Sequence, residues 1–139
     1  MRGLLLLLML AVGCSGAQSH DEQYAAIDRA SASASKCKSS SVFDELFLLA
    51  ASGKVTGVHT SEELSLANEN AFLRCPYEFL LALKAQPEAA QTAVVNQYFG
   101  IRHAPWELGK ELRKLQENDM VGDLVRTRFS GFLAAEAPK

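Results

Sequence analysis

The stretch "CPYEFLLALKAQPEAAQTAVVNQYFG", Cys75–Gly100, decides the fold. Proline lacks a backbone N–H and holds φ near −65°, so a helix accepts it in the first turn and rejects it inside. Pro76 and Pro87 therefore each predict the start of a new helix. Between them Phe79, Leu80 and Leu83 form an apolar stripe; after Pro87, Ala90, Val94, Tyr98 and Phe99 continue the spacing, and Gly100 ends the segment. Cys75 precedes a proline and is biased away from helical geometry, which predicts a corner there.

The same grammar extends outward in both directions. Pro105 opens a helix carrying Leu108, Leu112 and Leu115. Asn118 or Asp119 caps a last helix with Leu124, Val125, Phe129, Phe132 and Leu133. Upstream, Thr60 and Glu63 have capping-box spacing and precede Leu64, Ala67, Ala71 and Phe72, a helix expected to run to about Arg74. Before it, Ser41 starts a helix with Val42, Leu46, Leu49 and Ala50, widened by Phe43 and Phe47 and closed at Gly53. The loop after Gly53 is expected to hold a short extended piece at Val55 to Val58. Ser19-x-x-Glu22 caps a first, weakly apolar helix with Tyr24, Ile27, Ala30 and Ala34. Between these two lies "SASASKCKSSS", Ser31–Ser41, in which six of eleven residues are serine, a composition that favours flexible backbone over a packed helix.

No run of alternating polarity appears. The expectation is an all-α protein: an irregular bundle or short stack of six to seven antiparallel helices, with no repeat of fixed period.

The N-terminus has another character. After Arg2, Leu4 to Val12 are nine consecutive apolar residues, fewer than the roughly 20 needed to span a bilayer. A positive start, a short apolar core and small residues beyond it make a secretory signal peptide. "LAVGC", ending at Cys14, resembles the lipobox of bacterial lipoproteins, although leucine stands at Leu10, one place earlier than the pattern prefers. The resemblance implies a diacylglycerol on the Cys14 sulfur, and Ser15, not aspartate, after it implies the outer membrane. The alternative is an ordinary cut after Ala17, which discards Cys14 and leaves a soluble periplasmic or secreted protein. The expected organisation is a signal peptide at 1–13, a segment at 14–41 with the lipid-attachment site, weak helix and serine run, and a helical domain at 42–139.

Loss of Arg2 with the signal shifts the formal charge from −2 to −3. No block of like charge occurs, so nucleic acid is not an expected partner, and the membrane is expected only through the anchor. Cys37 and Cys75 remain after either cut. Export puts them in an oxidising compartment, where two cysteines of a small domain pair. The bridge would hold the serine-rich segment against the corner before Pro76.

Chemistry-bearing constellations are sparse. His20, His59 and His103 lack metal-ligand spacing, so no metal or other cofactor is expected. There is no C-x-x-C, no G-x-S-x-G and no S-x-x-K. No catalytic residue can be nominated. The densest stretch is "NQYFGIRHAPWE", Asn96–Glu107, where Tyr98, Arg102 and Trp106 are residue types enriched at binding hot spots; the competing reading buries Tyr98 and packs Trp106 over the corner. The functional expectation is an exported, lipid-anchored helical protein that binds another protein in the bacterial envelope. In size, compartment and helix content it is similar to immunity proteins that block toxins. Two alternatives stand beside it: an envelope hydrolase acting on cell-wall material, whose mark would be a close pair of buried carboxylates, and a structural accessory of an envelope complex.

Overall fold

The computed structural model describes residues 18–139. Cys14, the apolar run at 4–12 and the stretch that resembles a lipobox lie outside the described residues. Among the described residues there are eight α-helices and no strand. They are α1 (His20–Ala34), α2 (Asp44–Ser52), α3 (Val58–Arg74), α4 (Pro76–Lys84), α5 (Glu88–Gln97), α6 (Pro105–Arg113), α7 (Gly122–Arg128) and α8 (Ser130–Ala134), with a 3-10 turn at Ser40–Phe43 before α2. The all-α expectation holds. The count exceeds seven because the last expected helix breaks at Phe129, where φ −114° and ψ 22° leave helical geometry.

Pro76 and Pro105 are the first residues of α4 and α6. Pro87 sits one place earlier, as the cap of α5, with an extended ψ of 152°. Ser19 caps α1 as expected, its hydroxyl accepting from the Glu22 N–H at 3.3 Å. Gly53 closes α2 at φ 67°, where a side chain would be strained.

Three local expectations need correction. Thr60 does not cap α3, which begins at Val58 behind Gly57; its hydroxyl instead donates back to the carbonyls of Thr56 and Gly57. Val55–Val58 is no strand: Val55 is a buried loop residue, and Val58 is already helical. The serine run is more ordered than its composition suggests. Its first four residues complete α1, because burial of Ala30 and Ala34 outweighs the modest intrinsic reluctance of serine.

The core is organised on α3, which packs against α1, α2, α4, α5 and α6. Enclosed on several sides, it buries polar Ser65, Asn68 and Glu69 beside Leu64, Ala71 and Phe72. All seven phenylalanines of the chain form one connected ring network, with Phe79 and Phe99 as hubs 6.2 Å apart. Edge-to-face contacts dominate it, as in Phe72–Phe99 at 5.5 Å and Phe99–Phe129 at 5.4 Å, the geometry that ring quadrupoles favour. The Cys37–Cys75 disulfide ties the turn after α1 to the corner between α3 and α4, with Cα atoms 5.8 Å apart. Cys37 takes φ 50°, a left-handed conformation uncommon for a residue with a side chain.

α6 and α8 meet so closely that a Cβ on Gly109 would overlap the Phe132 carbonyl. In a free helix Gly→Ala would stabilise by about 1 kcal/mol. Here the obstacle is backbone, which cannot swing aside, and overpacking of this kind costs about 1–3 kcal/mol. Gly109→Ala is therefore expected to lower the denaturant midpoint. An unchanged or raised midpoint would show that α8 moves away freely.

Candidate functional site

The joint between α5 and α6 is built around one buried carboxylate. α5 ends at Tyr98, and Gly100 turns the chain at φ 84°. The following peptide N–H groups then point inward at Glu69, which α3 presents with a fully buried side chain. Its Oε1 accepts from the N–H of Gly100 at 2.7 Å, Ile101 at 2.8 Å and Arg102 at 3.2 Å, and from the Ser65 hydroxyl at 2.7 Å. Its Oε2 accepts from the His103 N–H at 2.8 Å and from His103 Nδ1 at 2.7 Å.

Successive N–H groups of this kind form a concave nest for an anion, and here the anion is internal. A carboxylate can only accept, so His103 must carry its proton on Nδ1. Burial alone would raise the Glu69 carboxyl. The hydrogen bonds from Ser65, His103 and the N–H groups of Arg102 and His103 outweigh it and hold the group below its ordinary value. Glu69 is therefore ionised at neutral pH, and it organises a loop that has no regular structure of its own. The joint continues into α6 with the Ala104 N–H donating to the Glu107 carboxylate at 3.1 Å.

The residues nominated from sequence divide here. Tyr98 is 6% exposed and belongs to the core, so it presents no surface to a partner. Arg102 is exposed and lies 3.6 Å from Glu63 of α3. Trp106, in the first turn of α6, is half-buried. Ile101 was not nominated, yet it is 51% exposed at the tip of the joint. Glu69 and His103 were missed as partners. The available signal was the spacing of Ser65, Glu69 and Phe72 along one face of α3, which puts a carboxylate on a stripe with a core phenylalanine.

Cys37 and Cys75 form the expected bridge. His59 is a surface residue 3.6 Å from Glu62. Among the described residues no group of three or more His, Cys, Asp or Glu side chains could hold a metal ion. Glu69 is the only acidic residue buried among them. No described helix is long and apolar enough to cross a membrane. Compared with known protein families, curated proteins and solved structures, the chain matches none.

Proposed function

We propose that the chain is an exported, lipid-anchored protein of the bacterial envelope that acts by binding another protein, in the manner of an immunity or inhibitor protein, through the joint between α5 and α6. One observation carries the reading: exposed Ile101 and Arg102 and half-buried Trp106 stand on or beside an irregular loop that five hydrogen bonds to a single buried carboxylate hold in shape. Association normally costs the ordering of interface loops, and a loop ordered beforehand avoids that cost. Arginine and tryptophan are the side chains that such surfaces use as anchors. The hydrolase alternative finds less support, because its mark was a close pair of buried carboxylates and Glu69 is fully engaged with the loop. The anchor at Cys14 rests on the lipobox resemblance, and an unmodified N-terminus at Gln18 in mass spectrometry of the native protein would remove it.

The test is capture from envelope extract with the mature chain, read by mass spectrometry, alongside Arg102→Glu and Trp106→Ala. A protein recovered by the wild type is expected to be lost with both variants, since truncating a true anchor weakens a complex by about 2 kcal/mol or more. Their thermal midpoints should stay within a few degrees of the parent. Equal capture by all three proteins would overturn the reading. A midpoint collapse in Trp106→Ala alone would mark that ring as core.

A further inference from the structure

Beside this joint the surface sinks into a groove between α1 and α3. Two adjoining cavities of ≈ 300 and ≈ 200 Å³ share Ser31, Ala67 and Asn70. Ala67 and Ala71, one turn apart on α3, line the larger with Ala32 of α1. Side chains this short let another backbone approach closely. The charges of the groove are sorted along its length. Asp28 and Glu63 line one end, and Arg74 lines the other. At about 1.5 Å per residue, Glu63 and Arg74 stand roughly 16 Å apart along α3. Among the described residues Asp28 and Arg74 have no ion-pair partner. Glu63 also faces Arg102 at 3.6 Å, so the acidic end adjoins the joint.

We propose that the groove seats one helix of the bound protein, antiparallel to α3, with acidic side chains in its first turn over Arg74 and basic side chains in its last turn over Asp28 and Glu63. A helix is itself stabilised by acids at its N-terminus and bases at its C-terminus. A helix with its charges in that order meets this groove in one orientation only. Small or aliphatic residues at i, i+4 and i+7 would face the alanine floor. The inference rests on the binding reading above and adds the chemistry of the partner.

Two synthetic helical peptides of about 14 residues test it. Both carry alanine and leucine at i, i+4 and i+7. One has glutamates in its first turn and lysines in its last; the other has these charges exchanged. Each is titrated into the isotope-labelled mature chain while amide NMR signals are followed. The first peptide is expected to shift the signals of Ser31, Ala67 and Asn70. It should bind about tenfold tighter than the second, the size of two screened surface charge pairs. The doubly exchanged protein, Asp28→Lys with Arg74→Glu, should prefer the second peptide; both positions are exposed, so the fold should survive. Groove signals that do not move, or equal binding of the two peptides by the wild type, would overturn the proposal. The two readings fail separately. A silent groove with capture still lost in Arg102→Glu leaves the joint as the binding surface, whereas a responsive groove with capture unaffected by Arg102→Glu and Trp106→Ala removes the joint.

Discussion

Glu69→Ala is expected to lower the thermal midpoint by roughly 10–20 °C and to release the joint between α5 and α6 before the rest of the chain melts. The truncation removes an acceptor, not a packing group. Four successive peptide N–H groups, the Ser65 hydroxyl and the His103 ring lose their common partner. Removing one side of a buried charged arrangement costs about 3–5 kcal/mol, because what is left behind is desolvated and unpaired. The joint can recover part of that loss by opening to water, which is why it should go first. Trp106 is the only tryptophan of the chain and sits just beyond the joint, so its emission reports the opening while circular dichroism reports the helices. A midpoint within a few degrees of the parent would mean that the loop holds its shape without Glu69, and the preorganised surface proposed above would lose its support.

Glu69→Gln separates charge from size. The folded Glu69 carboxyl titrates below its ordinary range, near 4.3 in an unfolded chain. Its contribution is therefore fully present above the unfolded value and is lost as pH falls through the lower, folded value. The wild type should lose stability on acidification through this window, and Glu69→Gln should lose less. Parallel stability-versus-pH curves for the two proteins would contradict this assignment.

The second large effect is expected from the disulfide. Cys37 and Cys75 are 38 residues apart in sequence, and closing a loop of that length restricts the unfolded chain by about 4 kcal/mol. Cys37→Ser with Cys75→Ser should lower the unfolding free energy by about that amount in chemical denaturation. Loosening should centre on the turn after α1, where Cys37 holds a left-handed conformation at φ 50°. Hydrogen exchange at Ala34, Ser35 and Lys36 should accelerate more than exchange in α5. Uniform acceleration would mean that the bridge acts on the unfolded chain alone.

Helix boundaries were legible wherever a residue acts through its own backbone. Pro76 and Pro105 open helices because the missing N–H is costless only in a first turn, and Gly53 closes α2 because φ 67° suits a residue without a side chain. The cysteine pairing was legible because Cys37 and Cys75 are the only cysteines that follow Cys14 and the apolar N-terminal run. Thr60 misled, since Gly57 and Thr56 let α3 start earlier and turned its hydroxyl to backbone carbonyls. The serine run misled because propensity is worth tenths of a kcal/mol per residue, and burial of Ala30 and Ala34 outweighs it.

Short helices, their apolar stripes and the cysteine bridge were readable from the residues, because helices and stripes follow from interactions among residues close in the chain, and the pairing of Cys37 with Cys75 from a short list of partners. That Tyr98 is core, that Ile101 and Arg102 are surface, and that Glu69 holds the joint between them follows only from how the helices pack. Glu69 lies more than 30 positions from the N–H groups it accepts. Those donors are backbone, identical in every residue except proline, so no pattern of side chains announces them. A buried carboxylate is costly until such donors converge on it, and their convergence is a property of the folded chain.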